Sequence, residues 1–85
     1  MAKEGLSVRI LTPEGTLCEG AAAAVYVPGL VSPFEILPCH APIISAMEKG
    51  EVRLRLAGGE EKTFAVSGGV VRVFHDEVVI CAEMQ

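Results

Sequence analysis

The side chains best suited to chemistry in this sequence are two histidines and three cysteines, and Cys39-His40 sets one of each side by side. A thiol activated by a neighbouring imidazole is one route to covalent catalysis. Neighbours along an extended chain point to opposite faces, however, so this pair would need a special turn to meet. The competing reading is a small thiol beside a loop histidine, with a purely structural part. Metal binding by His40, Cys39 and a distant His75 or Cys81 would need convergence in space, since no two of them have helical or zinc-knuckle ligand spacing. Glu60-Glu61 and Asp76-Glu77 are paired acids at expected turns, where solvation accounts for them. Neither pair marks a second carboxylate for acid–base work. Gly68-Gly69 is not a phosphate cradle, because cradling glycines open a helix and none follows. The expectation is a chain with no catalytic residue, no metal site and no cofactor.

The elements that would position these residues are strands. Four prolines fall in the fifteen residues Pro28 to Pro42 (Pro28, Pro33, Pro38, Pro42). Each fixes φ and removes a backbone donor, and each pushes the residue before it toward an extended conformation. Helix is excluded there. The stretch reads as a rigid loop (Gly29 to Ser32), a short strand (Phe34 to Leu37) and a second rigid corner (Pro38 to Pro42) that presents His40. Stiff loops on a β scaffold commonly carry binding.

The flanks repeat the strand signal. Leu6-Ser7-Val8-Arg9-Ile10 alternates with period two, and Thr12-Pro13-Glu14-Gly15 reads as a β-turn. Thr16 to Glu19 resumes as a strand that Gly20 is expected to interrupt. Ala21 to Val27 is too short for an isolated helix and ends in the β-prone Val25-Tyr26-Val27, so it is read as strand. Ile43 to Met47 and Glu51 to Leu56 follow, the latter with Val52, Leu54 and Leu56 inward. Gly58-Gly59 is expected to supply both left-handed positions of a tight hairpin. Lys62 to Val66 returns, and Ser67-Gly68-Gly69 is expected to break the run with a bulge or close backbone approach. Val70 to Phe74, a turn at His75-Asp76, and Val78 to Cys81 form the last hairpin. Nine or ten short strands without an amphipathic helix predict an all-β fold, an antiparallel sandwich or flattened barrel.

At 85 residues the chain is expected to form a single domain over 1–85. Hydrophobic residues make up 51% and charged ones only 21%. That is more apolar than so small a monomer needs, so the core is unusually aliphatic, the surface meets a partner, or both. The net charge of −4 and scattered cations disfavour nucleic acid. No run of 18 apolar residues exists, so no direct membrane insertion is expected. The opening Met1-Ala2-Lys3-Glu4-Gly5 lacks the apolar core of a secretory signal. An odd cysteine count without C-x-x-C spacing is read as reduced thiols.

In order along the chain stand Thr12-Pro13-Glu14-Gly15, Val27-Pro28-Gly29, Ile36-Leu37-Pro38-x-His40-Ala41-Pro42, Gly50-x-Val52-Arg53 and Val66-Ser67-Gly68-Gly69. Each piece alone is weak. In this order, over roughly residues 6 to 82, the series resembles the epsilon subunit of the rotary F-type ATP synthase. The resemblance implies the N-terminal ten-stranded β-sandwich of that family. It implies a non-catalytic rotor subunit of the central stalk that links the gamma subunit to the c-ring and so couples proton flow to ATP synthesis. No small-molecule substrate is implied. By position, Gly29, Leu30, Val31, Ser32 and Pro33 correspond to the loop that touches the c-ring. His40, with Pro42 in the same motif, falls toward the gamma contact. The implied location is peripheral, on the cytoplasmic side of a bacterial inner or cell membrane.

Ser32 and Glu35 replace glycines usual in the family loop, and Cys39 replaces a small residue or Asn. With Pro33 added, the loop is expected to be stiffer than usual. Family members commonly continue into a two-helix hairpin that can inhibit ATP hydrolysis, and the expectation here is a form lacking it. Two other classes share the strand pattern. A ligand- or peptide-binding β-barrel would want an aromatic-lined groove, which three Phe, one Tyr and no Trp supply poorly. A small cysteine-dependent enzyme rests on Cys39-His40 alone. Co-purification with a gamma subunit separates the three.

Overall fold

The computed structural model describes residues 5–85. The opening segment read as no secretory signal lies largely outside the described residues. Eight strands follow in order: β1 (Leu6–Thr12), β2 (Gly15–Ala22), β3 (Ala24–Val27), β4 (Phe34–Ile36), β5 (Ile43–Met47), β6 (Gly50–Arg55), β7 (Glu61–Phe74) and β8 (Glu77–Met84). Among the described residues there is no helix, and none long and apolar enough to cross a membrane.

The fold turns on β7. Its first half, Glu61 to Val66, pairs with β6, which carries β3 and then β4 beyond it. Its second half, Gly69 to Val73, pairs on the same edge with β5. On the opposite edge Val66 to Phe74 pairs with β8, beyond which lie β1 and β2. One strand therefore belongs to both layers of the sandwich. The change of layer falls where the β7–β8 register shifts, between Val66 and Gly68. The β5–β6 corner at Glu48-Lys49 lies opposite, because Met47 pairs with Gly69 and Gly50 with Val66. Two neighbouring strands thus turn the corner together.

This explains the lower strand count. Lys62 to Val66 and Val70 to Phe74 read as two strands, yet the bulge bends the ladder without ending it. Gly69 marks the close approach, since an added Cβ would run into the Cys81 carbonyl. Gly20 does not interrupt β2 either. The chain leaves that layer at Ala23, whose N–H donates to the Arg55 carbonyl at 2.7 Å. Of Gly58-Gly59 only Gly59 has a left-handed φ, +95°. Leu56 N–H donates to the Glu60 carbonyl and Gly59 N–H to the Leu56 carbonyl, making a three-residue loop and not a two-residue one. The His75-Asp76 turn has the expected two residues, both with positive φ. One pair, β1 with β8, is parallel. That needs no tight connection, because the two strands come from opposite ends of the chain.

The interior is aliphatic. Val8, Ile10, Val78, Ile80, Val71 and Val73 from one layer meet Val25, Val27, Ile36, Val52 and Val66 from the other in one cluster. Among the described residues no polar or charged side chain is buried. Period-two alternation is visible directly in β6, where Val52 and Leu54 are buried between exposed Glu51, Arg53 and Arg55. Each fully buried Val, Leu or Ile is worth roughly 1.5–3 kcal/mol, so this cluster is what holds a chain this short together.

Candidate functional site

The loop from Pro28 to Pro33 closes the β3–β4 hairpin, where Val27 pairs with Phe34. The prolines are only part of what stiffens it. Leu30 N–H donates to the Ala46 carbonyl at 2.9 Å, and Glu48 N–H donates to the Pro28 carbonyl at 2.9 Å. An isolated bridge joins Gly29 to Met47. The base of the loop is thereby stitched to the end of β5. Pro28 and Gly29 are buried, and a methyl group on Gly29 would strike the Ser32 carbonyl and, at 3.0 Å, the Phe34 ring. Gly29 therefore shapes the loop from inside it, while Leu30 is 60% exposed and Val31 fully so. Ser32 and Pro33 are exposed beside them.

The second corner is built by a turn. His40 N–H donates to the Leu37 carbonyl at 3.2 Å, with Pro38 second and Cys39, at φ 70°, third. This is the pattern of a type II turn, which asks for Gly or Asn at the third place. Cys39 is exposed. Its N–H donates to the Asp76 carboxylate at 2.7 Å. His40 is half-buried, and its Nδ1–H donates to the Ala41 carbonyl at 2.7 Å. That bond leaves Nε2 as the ring's acceptor nitrogen, and among the described residues no hydrogen bond joins the ring to the Cys39 thiol. The special turn exists, but it does not make a nucleophile–base pair. His75 lies edge-on to Phe74 at 4.1 Å. Among the described residues no three His, Cys, Asp or Glu side chains gather as metal ligands.

Loop and corner are adjacent through Phe34. Its ring touches the Gly29 position and lies 6.4 Å, centroid to centroid, from the His40 ring. Beyond the corner, Pro42, Ile44, Arg72, Phe74, Glu77 and Val79 line a groove on the outer face of β5, β7 and β8. Ile44 is 72% exposed and Phe74 54%. One register row across this face, Ala46–Val70–Cys81–Leu11, is wholly apolar. An outer face this rich in large aliphatics is unusual for a free surface.

The β-sandwich domain model of the ATP synthase delta/epsilon chain matches residues 5–84. The chain belongs to that family. Among curated relatives, the ATP synthase epsilon chain of Moorella thermoacetica is 37% identical over 78 residues, covering 92% of this chain and 58% of that protein. The epsilon chain of Chlorobaculum tepidum is 32% identical over 80 residues, covering 94% of this chain and 91% of its own. The chain thus spans little more than half of one relative and nearly all of another. In solved structures, a chain of the Euglena gracilis mitochondrial ATP synthase (OSCP, F1 and c-ring) aligns with TM-score 0.89 at 15% identity, over 96% of this chain and 52% of that one. A chain of the Tetrahymena thermophila central stalk and c-ring aligns with TM-score 0.79 at 15% identity, over 98% and 66%. At that identity the likeness is one of fold.

Of the loop read from the sequence as Gly29 to Pro33, Leu30 to Pro33 are exposed while Gly29 is buried. The sequence reading placed Ile44, Val70 and Phe74 in strands without assigning them a face, and so missed them as surface residues. A signal was present. Ile43-Ile44 and Val70-Val71 are apolar neighbours in strands, and period two forces one of each pair outward. It also read Asp76 as a solvated turn charge, whereas its carboxylate holds Cys39.

Proposed function

We propose that this chain is a non-catalytic subunit of the ATP synthase rotor, a single β-sandwich domain over 1–85 that joins the gamma subunit to the c-ring. Proton flow through the ring would then drive ATP synthesis through it. The observation that carries the reading is the pairing of two presented features on a chain of this family. One is a backbone-pinned loop that holds Leu30 and Val31 in water. The other is the apolar groove beside His40 and Pro42. The loop, Gly29 to Pro33 with Gly29 as its inner brace, faces the c-ring. The His40 corner and the groove face gamma. Apolar side chains kept exposed on rigid backbone lose little entropy on docking, which suits contacts that must stay closed under torque. The domain sits peripherally on the membrane's cytoplasmic side and binds no small-molecule substrate.

The test is assembly. Tagged chain mixed with membranes lacking their own epsilon subunit should retain gamma and c subunits together and restore ATP-driven proton pumping. Ile44→Asp should weaken retention of gamma, and Val31→Asp should weaken coupling to the ring while gamma stays bound. Retention of neither subunit by the unaltered chain would overturn the proposal.

A further inference from the structure

Three described non-glycine residues have positive φ, and all three lie in two turns that one bond joins. Cys39 (φ 70°) is the third residue of the Leu37–His40 turn, and His75 (φ 50°) and Asp76 (φ 63°) are the turn between β7 and β8. Backbone strain of this kind persists only where the surroundings over-determine it, and it gathers at functional places. Here the two turns, 37 positions apart in sequence, are fastened by one bond, Cys39 N–H to the Asp76 carboxylate at 2.7 Å. Asp76 is itself anchored, because its carbonyl accepts the Ser7 N–H at 2.9 Å where β1 begins. The carboxylate therefore ties a proline-bounded corner to the end of the β1–β8–β7 layer, where β1 begins.

The same two turns lie next to residues that line the groove. The corner leads into Pro42 and Ile44, and the β7–β8 turn is flanked by Phe74 and Glu77. Apart from this bond, the turn at the head of the corner is closed by the His40 N–H to Leu37 bond, at 3.2 Å the longer of the two.

We propose that Asp76 is a positioning residue: its carboxylate sets the His40 corner against the β7–β8 turn and so fixes the mouth of the groove that receives the partner. The inference rests on the reading of this groove as the gamma contact. Asp76 touches no partner itself in this account and acts through Cys39. The bond is made by the backbone of residue 39, so the thiol is incidental to it.

The test separates the carboxylate from the backbone. Asp76→Gly keeps the positive φ and the Ser7 bond and removes only the carboxylate. Asp76→Ala removes it with a different backbone preference, and Asp76→Asn retains an acceptor oxygen. Three quantities are read on each variant: the thermal midpoint, amide hydrogen exchange at Cys39 relative to the β8 amides, and affinity for the gamma-containing catalytic complex stripped of its own epsilon subunit. Asp76→Gly should melt within a few degrees of the parent, exchange Cys39 at least tenfold faster, and bind about tenfold more weakly, the order expected for one lost charge-assisted bond. Asp76→Asn should stay within about threefold on both readouts. If Cys39 exchange is unchanged in Asp76→Gly, the clasp does not exist. If exchange quickens while affinity holds within twofold, the clasp exists without positioning the contact, and the proposal is overturned. An unaltered chain that does not bind the complex overturns the gamma reading and this inference together, which distinguishes that failure from the previous two.

Discussion

Cys39 illustrates how one residue can look chemical and be conformational. An L-residue in the left-handed region costs about 1–2 kcal/mol, and Asn is among the few that bear it. Cys39 is exposed and its bond to Asp76 uses only the backbone. Cys39→Asn should therefore raise stability by about 0.5–1 kcal/mol, seen as a midpoint roughly 2–8 °C higher. Cys39→Val, β-branched at positive φ, should lower it. A fall with Asn would mean that the thiol makes a contact more valuable than the strain it causes. The rigid corner around Cys39 was legible in the sequence from Pro38 and Pro42. Its partner was not. A hydrogen bond between positions 39 and 76 is set by the packing of two hairpins and leaves no local trace, so Asp76 read as a solvated turn acid. The ion pairs Arg9–Glu19 and Arg55–Glu35, each 3.6 Å apart and substantially exposed, do read as surface charges, and little stability is expected from either.

At the scale of elements, alternation located the strands and turn residues located most of their ends. What alternation could not give was continuity. Ser67-Gly68-Gly69 carries the signal of a bulge and also the signal of a strand end, and only pairing on both edges decides between them. β8 spans the bulge on one edge, while β6 and β5 divide the other, so the strand continues and bends. Gly69 is the hinge of that bend. Its φ is 144°, and an added Cβ would meet the Cys81 carbonyl and, at 2.9 Å, the Ala82 Cα. Both are backbone atoms and cannot rotate aside. Gly69→Ala should cost about 2–3 kcal/mol through forced separation of β7 and β8. That loss should appear as a midpoint roughly 10 °C or more lower in thermal melting. An unchanged midpoint would show that the bulge relaxes freely and that the two layers are not held in register by this contact.

Across the whole molecule, the excess of apolar residues divides between an aliphatic core and a surface that keeps aliphatics in water, as the composition required. Far-ultraviolet circular dichroism should show a β spectrum with little helix, since strands and turns account for the described chain; a helix content near a third would contradict this fold. The loop and the groove, the two surfaces proposed to meet different partners, are mechanically close. Phe34 stands between Gly29 and His40, and β5 carries both the loop's backbone bonds and Ile44. The loop and the His40 corner are thus joined through packed residues and a ladder, with no flexible linker between. The decisive variant combines Leu30→Asp with Val31→Asp. Both side chains point into water, 60% and 100% exposed, and the loop's bonds to β5 are made by backbone atoms. The isolated chain should therefore keep its midpoint, with a change within about 0.5 kcal/mol. In the assembled enzyme two new carboxylates would be pressed into the proposed contact with the ring, with no cation built to receive them guaranteed there, and an unpaired charge in an interface is strongly unfavourable. ATP-driven proton pumping should fall while gamma remains bound, because the groove is untouched. A sharp drop in midpoint with pumping per folded complex unchanged would make Leu30 and Val31 part of the fold's support and remove them from the contact with the ring.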